Sequence, residues 1–445
     1  MQRHGSRGWK LLITRIFRCK NIPFGVFLTP EDVITIGTRI GETAIDLGAM
    51  HQLGYFEGIS LTDDIFLQDS LNDFISDGKK TWRLVRQRIA DVFDQNNPTL
   101  RDNLKHRKAI LFDLDEIEMQ LPVQIGDYTD FYSYRNQITY METLMKIRNE
   151  ECSLDTPLNF PLGYHGRSSS IVPSGIGIHR PHGQILPKNA NSLMLLPSNE
   201  VDFELEMAFI TTDANSLGES VSIEEAEDYI FGMVLFNNWS ARDIQKWEYT
   251  QPGSFLGKNF ASSISPWIIT LDALRPFRIK KENQNPLPPA YLQKKNHHTY
   301  DINLEVFLTT EKGNTTALSK TNFKNTYWSI AQQLTHHTIS GCKVNSGDLM
   351  ASGTISGNTP DSGGCLLEIT EGGKKKITLN NGQKRTYLED NDTITIKGYC
   401  KNEELRIGFG EVSNTLLKPF REKRLQIKTD KNIFILHKIT TFVGV

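Results

Sequence analysis

Apolar residues take every second position from Val201 to Phe209, with acids between them as far as Glu206. Val201, Phe203, Leu205, Met207 and Phe209 take one parity, and Asp202, Glu204 and Glu206 the other. Alternation of this kind predicts a β-strand with one apolar and one acidic face. Same-face neighbours on a strand stand about 6.6 Å apart, so three carboxylates in a row repel one another. Two readings stay open at this point. The carboxylates hold a hard divalent cation such as Ca²⁺ or Mg²⁺, or they form an acidic face open to water.

Upstream, residues 22–118 have the texture of a small N-terminal domain. Pro23–Phe27 and Val33–Ile45 read as short strands with turns at Gly37 and Gly41. Trp82, Val85, Ile89, Val92 and Phe93 recur at helical spacing, which predicts a helix over Thr81–Phe93 ended by Asn96, Asn97 and Pro98. These positions are core, and the domain shows no candidate chemistry. A larger domain over 119–419 changes to short strands between Gly, Ser and Pro turns, among them Ile171–Ile178, Val201–Ile210, Ile302–Leu308 and Thr393–Ile396. Capping boxes at Ser222–Glu225 and Ser240–Asp243 predict helices to Tyr229 and over Ala241–Glu248. Between them Phe231–Phe236 is an apolar run of strand length. Pro276–His298 reads as a long exposed loop and Tyr327–Leu334 as a helix. The fold class is therefore mainly β with inserted helices.

Composition narrows the function. A chain of 445 residues, 38% hydrophobic and 23% charged, has room for two or three domains and a large core. A formal net charge of −2 implies no general attraction to nucleic acid or membrane. No apolar run approaches the roughly 18 residues of a membrane span. Cys19, Cys152, Cys342, Cys365 and Cys400 form no CxxC pair, which points to reduced thiols in a cytoplasmic setting. The first twenty residues carry six Lys/Arg and no acid; they read as a transit-type leader or as an extension outside the fold. The tail from Phe420 is basic, with Ile433–Leu436 as a lone strand-like run.

Several other stretches could carry chemistry. Arg242, Gln245 and Tyr249 share one helix face, a cation, an amide and a phenol suited to a carboxylate or enolate oxygen. Lys258 sits among apolar neighbours and is either a snorkelling surface residue or a desolvated acid/base group. Asp130 and Tyr132 share a face if their segment is extended. Gly163–Arg167 is turn-like, with His165 read as structural. His336 and His337 point about 100° apart on a helix and do not easily share a metal. Ala351–Gly357 is a small-residue turn that lets a ligand approach the backbone. Glu368, on an expected short strand Leu366–Ile369, needs a partner and would suit orienting a histidine.

Taken together these segments resemble the fumarylacetoacetase (fumarylacetoacetate hydrolase) family. The carriers are IGDYTDFY (Ile125–Tyr132), GYHGRSSSIVPSG (Gly163–Gly175), FELEMAF (Phe203–Phe209), NWSARDIQKWEY (Asn238–Tyr249), LGKNFASSISPW (Leu256–Trp267), QQLTHH (Gln332–His337) and ASGTISG (Ala351–Gly357). The resemblance runs in order from about Ile22 to Pro419, leaving 1–21 and 420–445 unmatched. It implies an SH3-like N-terminal barrel, a C-terminal mixed β-roll carrying the active site, and a homodimer. It implies hydrolysis of 4-fumarylacetoacetate to fumarate and acetoacetate, the last step of tyrosine and phenylalanine catabolism, with bound Ca²⁺ or Mg²⁺. By position, Asp130, Glu204 and Glu206 would be metal carboxylates, with Lys258 beside the metal. Tyr132, Tyr164, Gln245, Tyr249 and Thr354 would contact substrate, and Glu368, Arg242, Gln245 and Lys258 would form the catalytic group. A more distant acylpyruvate hydrolase or decarboxylase is disfavoured by the full N-terminal domain and the WSARDIQKWEY helix.

The chain departs from the family pattern in places. Gln137 stands where the family has its base histidine, and a neutral amide takes no proton from water. Asn238 replaces a metal aspartate, Lys146 a substrate-binding arginine and Ser262 a threonine near the metal. Residues Tyr134–Pro157 barely match, while both flanks match closely. A local reading-frame shift, or a homologue that binds a metal or diketo-acid without turnover, would each account for this.

Overall fold

The computed structural model describes residues 21–134, 156–187, 190–248, 254–281 and 283–420, with the side chains of 156 and 157 left aside. Near the N-terminus, five antiparallel strands form one sheet in the order Leu111–Asp113, Thr43–Asp46, Ile34–Ile40, Phe24–Leu28, Glu118–Met119. Of the two turns expected within Val33–Ile45, the one at Gly41 forms, reversing the chain between Ile34–Ile40 and Thr43–Asp46 with a φ of 64° that glycine accepts freely. Gly37 makes no turn. It lies inside Ile34–Ile40, where a Cβ would stand 2.2 Å from the Phe27 ring. A glycine that admits a ring looks the same in sequence as a glycine that bends the chain.

The helix expected over Thr81–Phe93 runs from Gly78 to Val92 and buries Trp82, Val85, Ile89 and Val92. Trp82 packs edge-on against Phe231 of the larger domain, ring centroids 4.9 Å apart. Phe24 and Ile268 exchange backbone hydrogen bonds of 3.0 and 2.7 Å. The two parts therefore share one core, which contains Phe24, Phe74 and Trp82 together with Ala208, Ile210 and Phe231.

The central sheet of the larger domain is mixed. Its order is Gly163–His165, Tyr128–Phe131, Leu349–Ala351, Leu205–Thr211, Ile230–Asn238, Ser262–Ile264, Ile171–Pro173, with Ile269–Thr270 also paired to Ile230–Asn238. Two pairs run parallel: Tyr128–Phe131 with Leu349–Ala351, and Ile171–Pro173 with Ser262–Ile264. One face, with Leu205, Met207 and Phe209, packs in the main core with Leu304, Val306, Ile394 and Ile396 of a second sheet. The other face meets the N-terminal domain. Leu205–Thr211 is consequently buried on both faces, which the alternation alone could not announce.

Several boundaries differ from expectation. Ile171–Ile178 is two strands separated at Gly175, φ 98°. Ser222 donates to the Glu225 side chain at 2.6 Å, and the segment closes as a 3₁₀ turn, Ala226–Tyr229, instead of an α-helix. Ser240 pairs with Asp202 in a short bridge, so its helix begins only at Arg242 and ends at Glu248. Pro276–His298 is not simply exposed: Arg278–Lys280 pairs with His298–Tyr300, and Leu292 is fully buried. The helix expected at Tyr327–Leu334 runs from Ile330 to Thr338, capped reciprocally by Ser329 and Gln332. No described helix is long and apolar enough to cross a membrane. The basic leader and Ile433–Leu436 lie outside the described residues.

Candidate metal centre and active site

The acidic alternation does not form one continuous strand. Pairing stops after Asp202 and resumes at Leu205, with Glu204 making a lone bridge to Cys365. This irregularity separates three carboxylates that sequence places on one face, and they meet different partners.

Asp202 is closed off. Arg242 Nε donates to its Oδ2 at 2.8 Å, while the backbone N–H groups of Leu366 and Leu367 donate to Oδ1 and Oδ2 at 2.7 and 3.0 Å. It thereby clamps the helix Arg242–Glu248 to the turn Leu366–Ile369. That turn is helical, contrary to the expected strand.

Glu204 and Glu206 instead meet Asp130, which arrives from another strand. Register places Asp130 beside Ala351, and Ala351 beside Ala208. Carboxylate oxygens of Asp130, Glu204 and Glu206 lie within 4.8 Å of one another, all three residues buried. An acidic face open to water is thereby excluded. Glu204 pairs with Lys258 Nζ through one oxygen and with Arg242 at 2.7 Å through the other. Burial alone would raise its pKa, but Lys258 and Arg242 outweigh that and hold it at about 2. Burial pushes Asp130 up to about 7, the attraction of Lys258 falling short of cancelling it and Glu204 adding repulsion. Glu206 is driven well above the carboxylate range by burial, then by Asp130 and Glu204.

Among the described residues, three polar atoms at this point are buried without a hydrogen-bond partner: Asp130 Oδ1, Glu206 Oε1 and Asn238 Oδ1. The opposite atoms are all engaged. Asn238 Nδ2 donates to Asp130 Oδ2 at 2.8 Å and to the Tyr164 hydroxyl at 3.0 Å, and Gly353 N–H donates to Glu206 Oε2 at 3.0 Å. Leaving a buried acceptor unsatisfied costs about 1–3 kcal/mol, more if charged. Three buried oxygens on side chains whose other polar atoms are anchored match the donor set of a hard divalent cation, so the residues present fit a metal.

The remaining expected residues fall as follows. Arg242 and Gln245 do share a helix face, Arg242 donating to Gln245 Oε1 at 3.1 Å. Lys258 is buried, which excludes the snorkelling alternative. Tyr164 lies opposite Asp130 in the sheet, and its ring sits 6.3 Å from that of Tyr132. Thr354 is buried in the small-residue turn. Glu368 accepts from the Ser356 hydroxyl and from Gly364 N–H at 2.9 Å; neither partner is the expected histidine. Burial raises its pKa against those two bonds. His336 and His337 diverge as expected, to the Tyr291 hydroxyl at 2.8 Å and the Thr129 hydroxyl at 3.0 Å. Ser262 is buried opposite Asn238. Tyr249, Gln137 and Lys146 lie outside the described residues. Sequence reasoning passed over Ser356 and the Gly353 N–H as site groups, although both belong to the stretch Ala351–Gly357 it had marked for close backbone approach.

Family models match nearly this whole chain: Fumarylacetoacetase N-terminal over residues 20–122, and Fumarylacetoacetate (FAA) hydrolase C-terminal over residues 128–417. The chain belongs to the fumarylacetoacetase family. It is 43% identical over 406 residues to the fumarylacetoacetase of Arabidopsis thaliana, covering 90% of this chain and 96% of that one. To the human fumarylacetoacetase it is 42% identical over 403 residues, again with 90% and 96% covered. Likeness at this level across both family segments extends well beyond the metal cluster.

Proposed function

We propose that the chain hydrolyses the carbon–carbon bond of 4-fumarylacetoacetate, releasing fumarate and acetoacetate, the last step of tyrosine and phenylalanine breakdown. The observation carrying this reading is the set of three partnerless buried oxygens, on Asp130, Glu206 and Asn238, beside Lys258 and Arg242 in a member of this family. A bound Ca²⁺ or Mg²⁺, held by Asp130, Glu206 and Asn238 with Glu204 adjoining, would supply Lewis-acid polarisation of diketone oxygens.

The chain's own residues account for the rest. Water must add to a ketone and an acetoacetate carbanion must leave, so negative charge grows on oxygen. Lys258 and Arg242 are buried cations already fixed by Glu204 and Asp202, so little reorganisation is needed to meet that charge. Gln245, tethered by Arg242, can donate an amide hydrogen to the same region. Tyr132, Tyr164 and Thr354 would orient the substrate, and Tyr249 would join them. Glu368 holds a proton more readily than a free glutamate, and its Oε2 is kept in place by the Ser356 hydroxyl. The homodimer and cytoplasmic location implied by the resemblance complete the proposal. Light scattering on the 50.6 kDa chain tests the first, a monomer contradicting it.

Spectrophotometric turnover of fumarylacetoacetate, with Ca²⁺ or Mg²⁺ present, tests the reaction. We expect wild type to turn over. A silent wild type with an active Gln137→His variant would favour the non-catalytic homologue, and silence in both would overturn the assignment.

A further inference from the structure

A cavity of about 370 Å³ opens beside Lys258. Tyr128, Tyr164 and the Gly166–Arg167 turn form one wall, and Phe255 and Lys258 the other. No carboxylate appears among the described residues lining it. Lys258 is committed to Glu204. Arg167 is engaged differently: its Nε donates to the Ser169 hydroxyl at 3.0 Å, a neutral partner.

The turn that carries Arg167 is pinned at both ends. Gly166 N–H donates to the Tyr128 carbonyl at 2.8 Å, and a Cβ at position 166 would lie 2.1 Å from the Tyr128 ring, so only glycine lets that ring pass beneath. On the far side, the Ser170 hydroxyl donates across to the Asn259 carbonyl at 2.6 Å, next to Lys258. An exposed arginine thus lines a cavity whose described lining carries no acid, and among the described residues only the Nε of its side chain is engaged. A guanidinium presents a planar fork that matches a carboxylate.

We propose that Arg167 is a specificity residue that binds one of the two terminal carboxylates of a diketo-dicarboxylic acid in this cavity. The inference rests on the function proposed above and names how that site tells a diacid from a monoacid.

The test compares wild type, Arg167→Ala and Arg167→Lys on fumarylacetoacetate and on two analogues, each lacking one terminal carboxylate. Arg167→Ala should lower kcat/KM roughly 10–100-fold, mainly through KM, for the diacid and for the analogue that keeps the recognised carboxylate. The other analogue should be unaffected, and Arg167→Lys should recover part of the loss. Equal losses on all three compounds, or no loss on any, would overturn the proposal. A wild type that turns over none of the three would instead overturn the proposed reaction. Calorimetric titration of the same compounds then decides the Arg167 question through the same selective loss of affinity.

Discussion

Asp202 and Glu206 lie four residues apart on one acidic stripe, yet the structure treats them in opposite ways. Asp202 has every oxygen engaged, by Arg242 and by two backbone N–H groups. Glu206 has one oxygen held by Gly353 N–H, and among the described residues no N–H or hydroxyl donates to the other, which belongs to the cluster with Asp130. Both residues are wholly buried. A buried carboxylate whose valences are filled is a bracket; one left half-filled is a place for something to bind. The difference shows why a row of acids in sequence does not by itself identify a metal site, and why the leftover atoms do.

The largest expected effect breaks the closed end. Asp202→Ala leaves Arg242 buried without its main partner and two amides unsatisfied, and should cost about 3–5 kcal/mol by urea unfolding, with or without divalent metal. The next breaks the open end. Glu206→Gln keeps an acceptor for Gly353 N–H but removes the carboxyl that can give up its proton to a cation. Divalent-metal affinity should fall roughly 100-fold, about 2.7 kcal/mol, and activity with it, while the metal-free fold keeps its stability. If both variants lose stability alike and metal affinity alike, the two ends are not different.

A pH series sharpens the contrast. The folded pKa of Asp130 is raised to about 7 from 3.8. Its stabilising contribution is therefore complete below the unfolded value and is lost as pH rises through about 7. Chelator-treated protein should lose about 1 kcal/mol per unit between pH 6 and 7, and saturating Ca²⁺ or Mg²⁺ should flatten that slope. Unfolding curves at fixed pH, with and without metal, measure this directly. Asn238→Asp is expected to have an effect of similar size or smaller. It adds a charge where the amide now donates to Asp130 and Tyr164. Metal affinity should rise about tenfold while the metal-free protein loses stability through Asp–Asp repulsion.

Much of this was legible in the chain. The helical spacing of Trp82, Val85, Ile89 and Val92 reports burial directly, and the alternation at Val201–Phe209 marks strand and one core face but not the burial of the other face. Gly37 misled because a packing glycine and a turning glycine leave the same mark. The Ser240 cap misled because its hydroxyl bonds the Asn238 carbonyl at 3.2 Å, a competing local bond that carries no signature in the letters. At the site, Glu204 and Glu206 announced themselves by pattern, but periodicity could not tell that Asp202 would leave their company. Asp130 could be grouped with them only through the family resemblance, because parallel pairing with Leu349–Ala351 brings it in from more than seventy residues away. Strand pairing at that separation is a property of the whole fold.

On this account Asp130, Glu206 and Asn238 together bind one divalent cation. Isothermal titration of Mg²⁺ and of Ca²⁺ into the chelator-treated full chain near pH 7, repeated in buffers of different ionisation heat, tests it most directly. The account predicts one saturable site with net proton release, retained in wild type and lost in Glu206→Gln. Absence of saturable heat for both ions, or binding that Glu206→Gln leaves intact, would contradict it.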